Sequence, residues 1–391
     1  MSVTAAAGFT ASGVASGIKA SGDLDLALLA TDDAAPVAAA AVFTTNKAPA
    51  APVQVSREHL RSTWGRAAAV VLNSGCANAA TGQGGYDDAE TMCGLVSAGL
   101  GCENTQVLVC STGLIGYRMP MAKVVSGMAP LLATLSGGGG PAAARAILTT
   151  DTVAKEALVE HTRYGRQFKV GGMAKGAAML APNMATMLAV LTTDALVESG
   201  HLQSMLIDAV SASFNTLLVD GATSTNDTVI VLASGRAGPV DLDAVNGAIA
   251  DVCSDLSNQM AGDAEGATKT AVITVRGAVS PGDARTAARA VAASQLVQCS
   301  LHGGDPYWGR VVSELGSAGV EFDPDRVSVA YGGVVVCAAG VAADHDVDAV
   351  ARHMAGCHVS IVADLGLGDH EAAVTTTDLG PGYIEENMRT S

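Results

Sequence analysis

The middle of the chain places a lysine eleven residues before a threonine, and both side chains can do chemistry. Lys175 lies among glycines, a Pro182–Asn183 turn follows, and Thr186 begins an apolar run typical of a core strand. A lysine can approach a carboxylate as a compact point charge, whereas a threonine hydroxyl becomes a nucleophile only when a base takes its proton. A phosphate-binding loop is excluded because no Gly-Lys-Ser/Thr sequence follows. Residue types alone favour a loop that enters a buried strand.

A second chemical segment follows another apolar run. Cys110-Ser111-Thr112-Gly113 ends that run and opens into a turn. A glycine there can present a backbone N–H without an obstructing side chain, as the developing oxyanion of an acyl transfer requires. The alternative is that Thr112 is the N-cap of a following helix. Residue types alone favour the N-cap.

Two patterns suggest metal sites, and both lack an essential part. The acidic segment 344–348 lacks the glycine and the distant glutamate of a calcium-binding loop, so we expect a solvated turn that caps the next helix. No His-x-x-x-His pair is present, and no metal is expected. The cysteines form no Cys-x-x-Cys pair, which favours reduced, inert core thiols: Cys76, Cys93, Cys102, Cys110, Cys253, Cys299, Cys337 and Cys357.

Alternating strand and helix patterns must position these residues, and they predict an α+β fold, a layered α/β sandwich of mixed sheets flanked by helices. The predicted strands are Ala67–Leu72, Gln106–Cys110, Glu156–His161, Gln167–Gly171, Thr186–Thr192, Ala271–Val275, Val327–Tyr331, Val334–Cys337 and Val359–Ala363. The predicted helices are Asp87–Leu100, Met121–Leu135, His201–Phe214, Leu242–Met260, Ala284–Leu296 and Val347–Met354. The glycine run Gly137–Gly140 is expected to form an exposed loop.

Composition narrows the class of protein. The 391 residues are 49% apolar and 15% charged, which excludes disorder and gives ample core for one large domain or two. The net charge of −16 offers no basic stripe for nucleic acid. The first residues lack the basic start and apolar run of a signal peptide, and the uncharged stretch Gly176–Thr193 carries polar groups that hydrocarbon would not solvate. We therefore expect a cytoplasmic protein without membrane spans.

Eight ordered blocks of the sequence resemble the ornithine acetyltransferases, also called glutamate N-acetyltransferases or the ArgJ family. The signature block, residues 175–188, resembles the family pattern Lys-Gly-x-Gly-Met-Ile/Leu-x-Pro-Asn/Asp-Met-Ala-Thr-Met-Leu. The resemblance spans nearly the whole chain and implies a self-cleaving fold of the N-terminal-nucleophile type, like that of ArgJ and DmpA. The other similar blocks are Gly8–Lys19, Asn73–Ala79, Cys110–Gly116, Thr149–Thr152, Val219–Thr228, Glu265–Lys269 and Asp305–Arg310.

In that family the precursor cuts its own backbone before the signature threonine. The resemblance places the cut at Ala185–Thr186, which divides the protein into an α chain, residues 1–185, and a β chain, residues 186–391. Thr186 then carries its own base, because the new α-amine has an ordinary pKa of about 7.7–8.0. The resemblance also assigns the oxyanion to the Thr112 hydroxyl and the Gly113 amide.

Substrate contacts are implied in the same way. Lys175 matches a carboxylate-binding lysine of the family, and Glu265 matches the partner of the substrate ammonium group. Either Thr149 or Thr152 matches a further substrate contact, and the sequence leaves that choice open.

The C-terminal segment and the signature depart from the family pattern. Asn387 matches an asparagine that a Ser or Thr normally follows five residues later, but this tail is one residue short, so Ser391 and Thr390 are alternatives. Ala177 and Ala178 replace the usual Ser/Val-Gly pair of the signature. These departures leave the implied nucleophile and oxyanion donors intact and weaken the inference about substrate preference.

The implied reaction moves the acetyl group of N2-acetyl-ornithine to glutamate through an acetyl-enzyme, with ping-pong kinetics. The transfer itself needs no cofactor, and the sequence leaves open whether acetyl-CoA also serves as a donor. The family pattern implies two α and two β chains per molecule. Two alternatives remain: an N-terminal-nucleophile amidohydrolase or aminopeptidase in which water is the acceptor, and an uncleaved protein that binds amino acids without catalysis.

Overall fold

The structure is a computed structural model that describes residues 3–163, 166–178 and 187–388. The chain divides into two compact units. The first comprises the residues up to Asn215 together with Ala222–Met260, and the second comprises Thr216–Gly221 and the residues from Ala261 onward. This division does not coincide with the predicted boundary at 185/186, since segments from both sides of that boundary belong to the first unit.

The first unit contains two sheets. A four-stranded sheet consists, in spatial order, of β1 (Phe9–Val14), β2 (Leu26–Thr31), β5 (Ala69–Asn73) and β6 (Val107–Ser111). A six-stranded sheet consists of β4 (Arg66–Ala67), β3 (Val37–Phe43), β11 (Thr228–Gly238), β9 (Leu188–Ala195), β8 (Arg166–Lys175) and β7 (Lys155–Arg163). The helices of this unit are α1 (Ala51–Ser62), α2 (Gly82–Leu100), α3 (Met121–Ala133), α4 (Gly140–Ala146), α5 (Ser199–Ala212) and α6 (Leu242–Gly262).

Apolar side chains of the two sheets share one core. Leu29 of β2, Leu72 of β5, Val190 of β9 and Ile230 of β11 are fully or almost fully buried in it. Burying one such side chain stabilises the fold by about 1.5–3 kcal/mol. The other face of the four-stranded sheet packs on α1, α2 and α3, and α6 lies against β8 so closely that a Cβ at Gly172 would come within 2.9 Å of Val252. The predicted α+β layers are thereby confirmed.

The second unit contains a seven-stranded mixed sheet covered by helices. Its strands, in spatial order, are β10 (Leu217–Leu218), β17 (His370–Thr377), β12 (Thr270–Ala278), β16 (His358–Asp364), β13 (Ser328–Tyr331), β14 (Val334–Ala338) and β15 (Val341–Ala342). Its helices are α7 (Pro281–Ala293), α8 (Gln295–Gly303), α9 (Trp308–Ser317), α10 (Val347–Met354) and α11 (Pro381–Asn387). Alternate residues of β12 are buried, among them Ala271, Ile273 and Val275, which form a core with α7.

Two sequence predictions differ from the structure for identifiable reasons. The predicted helix Ala284–Leu296 is broken at Ser294, whose ψ of 114° ends α7 and whose hydroxyl accepts the Val297 amide at the start of α8. The glycine run is exposed only at its first two residues. Gly139 is buried against the backbone of Ala11, so closely that a Cβ at Gly139 would lie 1.7 Å from the Ala11 carbonyl oxygen. Helix α4 already begins at the next residue, Gly140.

No helix within the described part of the chain combines the length and the apolar character needed to cross a membrane.

Candidate functional site

The end of β6 presents two hydrogen-bond donors at a tight turn. The Thr112 amide donates to the Asn73 carbonyl at 3.0 Å, the turn forms an isolated antiparallel bridge with Cys76, and no described residue forms a hydrogen bond with the Thr112 hydroxyl. Gly113 has a φ of +125°, and a Cβ there would lie 2.4 Å from the backbone carbon of Gly75. The N-cap alternative is wrong, because the next helix begins at Met121. The turn can therefore aim one hydroxyl and one backbone N–H at a developing oxyanion.

The candidate substrate lysine lies at the end of β8 with its side chain only 3% exposed. The Lys175 ammonium donates to the Thr149 hydroxyl at 2.6 Å and lies 3.7 Å from Asp151 Oδ2. Between the two candidate threonines, the structure thus brings Thr149 to Lys175. Thr152 is exposed.

Asp151, to which the sequence analysis gave no role, joins these groups. Its fully buried Oδ1 accepts the Lys155 ammonium at 2.6 Å and the Gly176 amide at 2.7 Å, and its Oδ2 accepts the Thr149 amide at 3.1 Å. Burial alone would raise the pKa of Asp151, but the charges of Lys175 and Lys155 and these hydrogen bonds hold it well below its ordinary value. In the sequence, the signal that pointed to a role for Asp151 was its position inside the Thr149–Thr152 block, which resembles the family.

Lys19 lies close to both groups of residues. A Cβ at Gly75 would come within 3.2 Å of Lys19 Cγ, and Gly75 itself packs against Gly113. The Lys19 ammonium donates to the Leu24 carbonyl at 2.9 Å. Burial lowers the pKa of Lys19, while nearby carboxylates oppose that shift and the charge of Lys175 adds to it. Lys19 therefore lies near both the oxyanion turn and Lys175, in a region that carries ammonium groups and carboxylates together.

Two consecutive side chains connect the oxyanion turn to the strand that follows Thr186. Asn226 Nδ2 donates to the carbonyls of Ala77 and Ser111 at 2.7 and 2.9 Å. Asp227 Oδ1 accepts the Met187 amide at 3.0 Å. Asp227 is fully buried, and no described residue completes a hydrogen bond to its Oδ2.

Burial raises the pKa of Asp227 well above its ordinary value, although the Met187 amide, two neighbouring hydroxyls and the charge of Lys175 act in the opposite direction. The Asp227 carboxyl group contacts the backbone amide of the residue that follows position 186 in the sequence. Both Asn226 and Asp227 lie in the Val219–Thr228 block that resembles the family, but the resemblance assigned neither residue a role.

Four predicted residues lie outside the described part of the chain. They are Ala185 and Thr186 at the predicted cleavage bond, and Thr390 and Ser391 at the C-terminus. The cleavage, the nucleophile and the C-terminal hydroxyl contact therefore stay predictions.

The second unit brings together the two other predicted substrate residues. Asn387 Nδ2 donates to Glu265 Oε2 at 2.8 Å and to the Tyr383 carbonyl at 2.9 Å. The Tyr383 hydroxyl donates to Asp220 at 3.3 Å, and burial together with the charges of Asp220 and Glu265 raises the Tyr383 pKa to about 12. Asn387 is exposed and Glu265 half-buried, so water reaches this pair.

The suspected metal loop has a structural function. Asp346 accepts the Ala349 amide at 2.9 Å and is the N-cap of α10, as predicted. Among the described residues, no three His, Cys, Asp or Glu side chains are grouped as metal ligands. All eight cysteines are free, but Cys299 and Cys357 are exposed, so the expectation of buried thiols fails for these two.

Comparisons with known proteins agree on one family. The sequence model described as the ArgJ family matches residues 10–390. The arginine biosynthesis bifunctional protein ArgJ of Mycolicibacterium paratuberculosis is 48% identical over 98% of this chain and 95% of its own. Its counterpart in Thermobifida fusca is 45% identical over 99% of both chains. A crystal structure of ornithine acetyltransferase from Mycobacterium tuberculosis, complexed with ornithine, is 48% identical over 46% of this chain and 94% of its own, with a TM-score of 0.43.

Proposed function

Because this chain belongs to the ArgJ family, we propose that it is a glutamate N-acetyltransferase that moves the acetyl group of N2-acetyl-ornithine to glutamate in arginine biosynthesis. One observation carries the proposal. The consecutive residues Asn226 and Asp227 bind the carbonyl of Ser111, next to the oxyanion donors, and the amide of Met187, next to Thr186. This link supports a site in which a nucleophile at position 186 works beside Thr112 and Gly113.

The proposed reaction begins once Ala185–Thr186 is cut. The α-amine of Thr186 takes the proton of its own hydroxyl, and the oxygen attacks the acetyl carbonyl carbon of N-acetyl-ornithine. The Thr112 hydroxyl and the Gly113 amide stabilise the resulting oxyanion. When the intermediate collapses, the C–N bond breaks, the α-ammonium returns its proton to the leaving nitrogen, and ornithine departs. The amine of glutamate then attacks the acetyl ester by the reverse sequence and regenerates the Thr186 hydroxyl.

Substrate recognition follows from the charges. Lys175 binds the substrate carboxylate, and Thr149 contributes its hydroxyl to the same position. Glu265, oriented by Asn387, binds the substrate ammonium group. The mature enzyme consists of two α and two β chains in the cytoplasm, and acetyl-CoA is a further donor to be tested.

Intact mass under denaturing conditions tests this function first. We expect two chains that separate at Ala185/Thr186, and one acetyl group on the chain that begins at Thr186 after brief exposure to N-acetyl-ornithine. Addition of glutamate should remove that group and yield N-acetyl-glutamate. A single unmodified chain would overturn the mechanism. Loss of the acetyl group to water at the same rate with and without glutamate would instead identify an amidohydrolase.

A further inference from the structure

Two lysines and one carboxylate form a buried charge cluster at the open end of the β7–β8 hairpin. The side chains of Asp151 and Lys155 are 0% exposed, and that of Lys175 is 3% exposed. Asp151 contacts Lys155 at 2.6 Å but lies 3.7 Å from Lys175, so the lysine that contacts it more closely is not the candidate substrate residue. Buried charges interact strongly because little water screens them.

The backbone holds Asp151 in the orientation that produces this asymmetry. The Gly176 amide, which directly follows Lys175, donates to the same Oδ1 that receives Lys155. The Thr149 amide donates to Oδ2, while the Thr149 hydroxyl accepts the Lys175 ammonium. Asp151 therefore fixes the position of Lys175 through its neighbours, while Lys155 is the ammonium group in direct contact with the carboxylate.

We infer that Asp151 is a positioning residue for Lys175, and that Lys155 is the counter-charge that keeps Asp151 from capturing Lys175. The inference rests on the proposed function, because it concerns the lysine that binds the substrate carboxylate. If Lys155 is removed, Asp151 has Lys175 as its remaining close ammonium partner among the described residues and competes with the substrate. If both Asp151 and Lys155 lose their charge, the competition disappears.

A second lysine–carboxylate pair, on the same β7–β8 hairpin, provides the matched control. Lys169 of β8 lies 2.6 Å from Glu160 of β7, the same distance as in the buried pair, but the two side chains are 33% and 48% exposed. Exposed pairs contribute little free energy. The variant Lys169→Met should leave the KM of both substrates within about twofold of wild type.

The test compares Lys155→Met, Asp151→Asn and the double variant with wild type. Each protein is cleaved and acetylated first, so that kcat refers to the acetylatable fraction measured by mass. We expect Lys155→Met to raise the KM for N-acetyl-ornithine and for glutamate about 30-fold or more, with kcat changed much less. The double variant should recover part of that loss, because it removes the negative charge that competes for Lys175, and the single side-chain oxygen of the introduced asparagine still accepts one of the two backbone amides.

The outcomes separate this inference from the proposed function. If wild type transfers no acetyl group, the proposed function fails. If wild type is active and the single variants lower kcat or the thermal midpoint without raising KM, Asp151 and Lys155 are merely structural and the inference is overturned. It is also overturned if the double variant binds substrate, or folds, no better than Lys155→Met. Recovery of folding and of KM together in the double variant supports it.

Discussion

Asn226 in the first compact unit and Asn387 in the second each donate two hydrogen bonds through Nδ2 to neighbouring oxygens, and these two residues differ in burial. Asn226 in the first unit is 5% exposed and donates to two backbone carbonyls at 2.7 and 2.9 Å. Asn387 in the second unit is exposed and donates to Glu265 and to the Tyr383 carbonyl at 2.8 and 2.9 Å. Water can replace the bonds of Asn387 but cannot reach those of Asn226.

The charged groups show the same difference. Two ammonium groups and two backbone amides surround Asp151, whereas solvent water can reach the Glu265 carboxylate. A buried group left without its partner costs its full desolvation free energy, and an exposed one does not. The first unit is thus built to hold its donors and charges in fixed positions. The Glu265–Asn387 pair of the second unit can rearrange at small cost, because water reaches it.

The largest difference between the two units is expected when one glycine in each is replaced by alanine. A Cβ at Gly113 would lie 2.4 Å from the Gly75 backbone, so Gly113→Ala should move the oxyanion amide and lower kcat about 10²–10³-fold. A Cβ at Gly266 would lie 2.1 Å from the Tyr383 nitrogen, so Gly266→Ala should displace α11 and raise KM instead. Steady-state kinetics distinguish the two effects. Gly116→Ala is the control, because it also changes a positive φ but meets no atom within 4 Å.

The asparagines themselves give the next effect. Asn226→Ala leaves two buried carbonyls without donors and should lower the free energy of unfolding by about 2–4 kcal/mol. Asn387→Ala should lower it by less than about 1 kcal/mol, because water replaces the lost bonds. Urea denaturation of both variants measures the difference. Equal losses of unfolding free energy in the two variants would contradict the difference between the buried asparagine of the first unit and the exposed asparagine of the second.

Acid stability should reveal the fixed charge of Asp151. Its folded pKa lies below the ordinary value of 3.8, so the ionised carboxylate contributes stability above about pH 4, and that contribution disappears as the pH falls further. We expect unfolding experiments at decreasing pH to show a loss of about 2–3 kcal/mol from this group in wild type and not in Asp151→Asn. Glu160→Gln, which removes an exposed carboxylate from the same hairpin, should retain the wild-type dependence.

The smallest effect is expected from Glu265, the half-buried carboxylate of the second unit. Glu265→Gln keeps an oxygen that can accept the Asn387 amide but removes the charge to which we assign the substrate ammonium group. Replacing a charge-assisted hydrogen bond by a neutral one should raise the KM for N-acetyl-ornithine about tenfold, with little change in thermal midpoint. A loss of stability comparable to that of Asn226→Ala would show that this pair is not adaptable.

Several parts of the fold could be predicted from local sequence alone. The predicted strands Ala67–Leu72 and Gln106–Cys110 correspond largely to β5 and β6, whose apolar runs are continuous because helices and a second sheet cover both faces. Ala67 itself belongs to β4 of the other sheet. Helix α10 has the predicted bounds, since Asp346 caps its start and its apolar residues recur at helical spacing. The family resemblance supplied the residues Thr112, Gly113, Lys175, Glu265 and Asn387.

Other features depended on contacts between distant segments. The break at Ser294 separates two helices whose apolar pattern is continuous, and the hydroxyl that caps α8 gives only a weak signal in sequence. Gly139 is buried because the Ala11 backbone crosses it, although the two residues are 128 positions apart in the sequence. The roles of Asp151, Asn226 and Asp227 likewise appear only when their partners are known.

The sequence by itself determined the apolar layers and the residue types available for acyl transfer, because periodicity, capping and turn chemistry act within a few residues. Only the tertiary structure decided which lysine Asp151 contacts most closely, which carbonyls Asn226 binds and which carboxyl group lies beside Met187. Those choices depend on burial and on distances of a few ångströms between segments far apart in the chain. Electrostatic interactions change strongly over such distances when water is excluded.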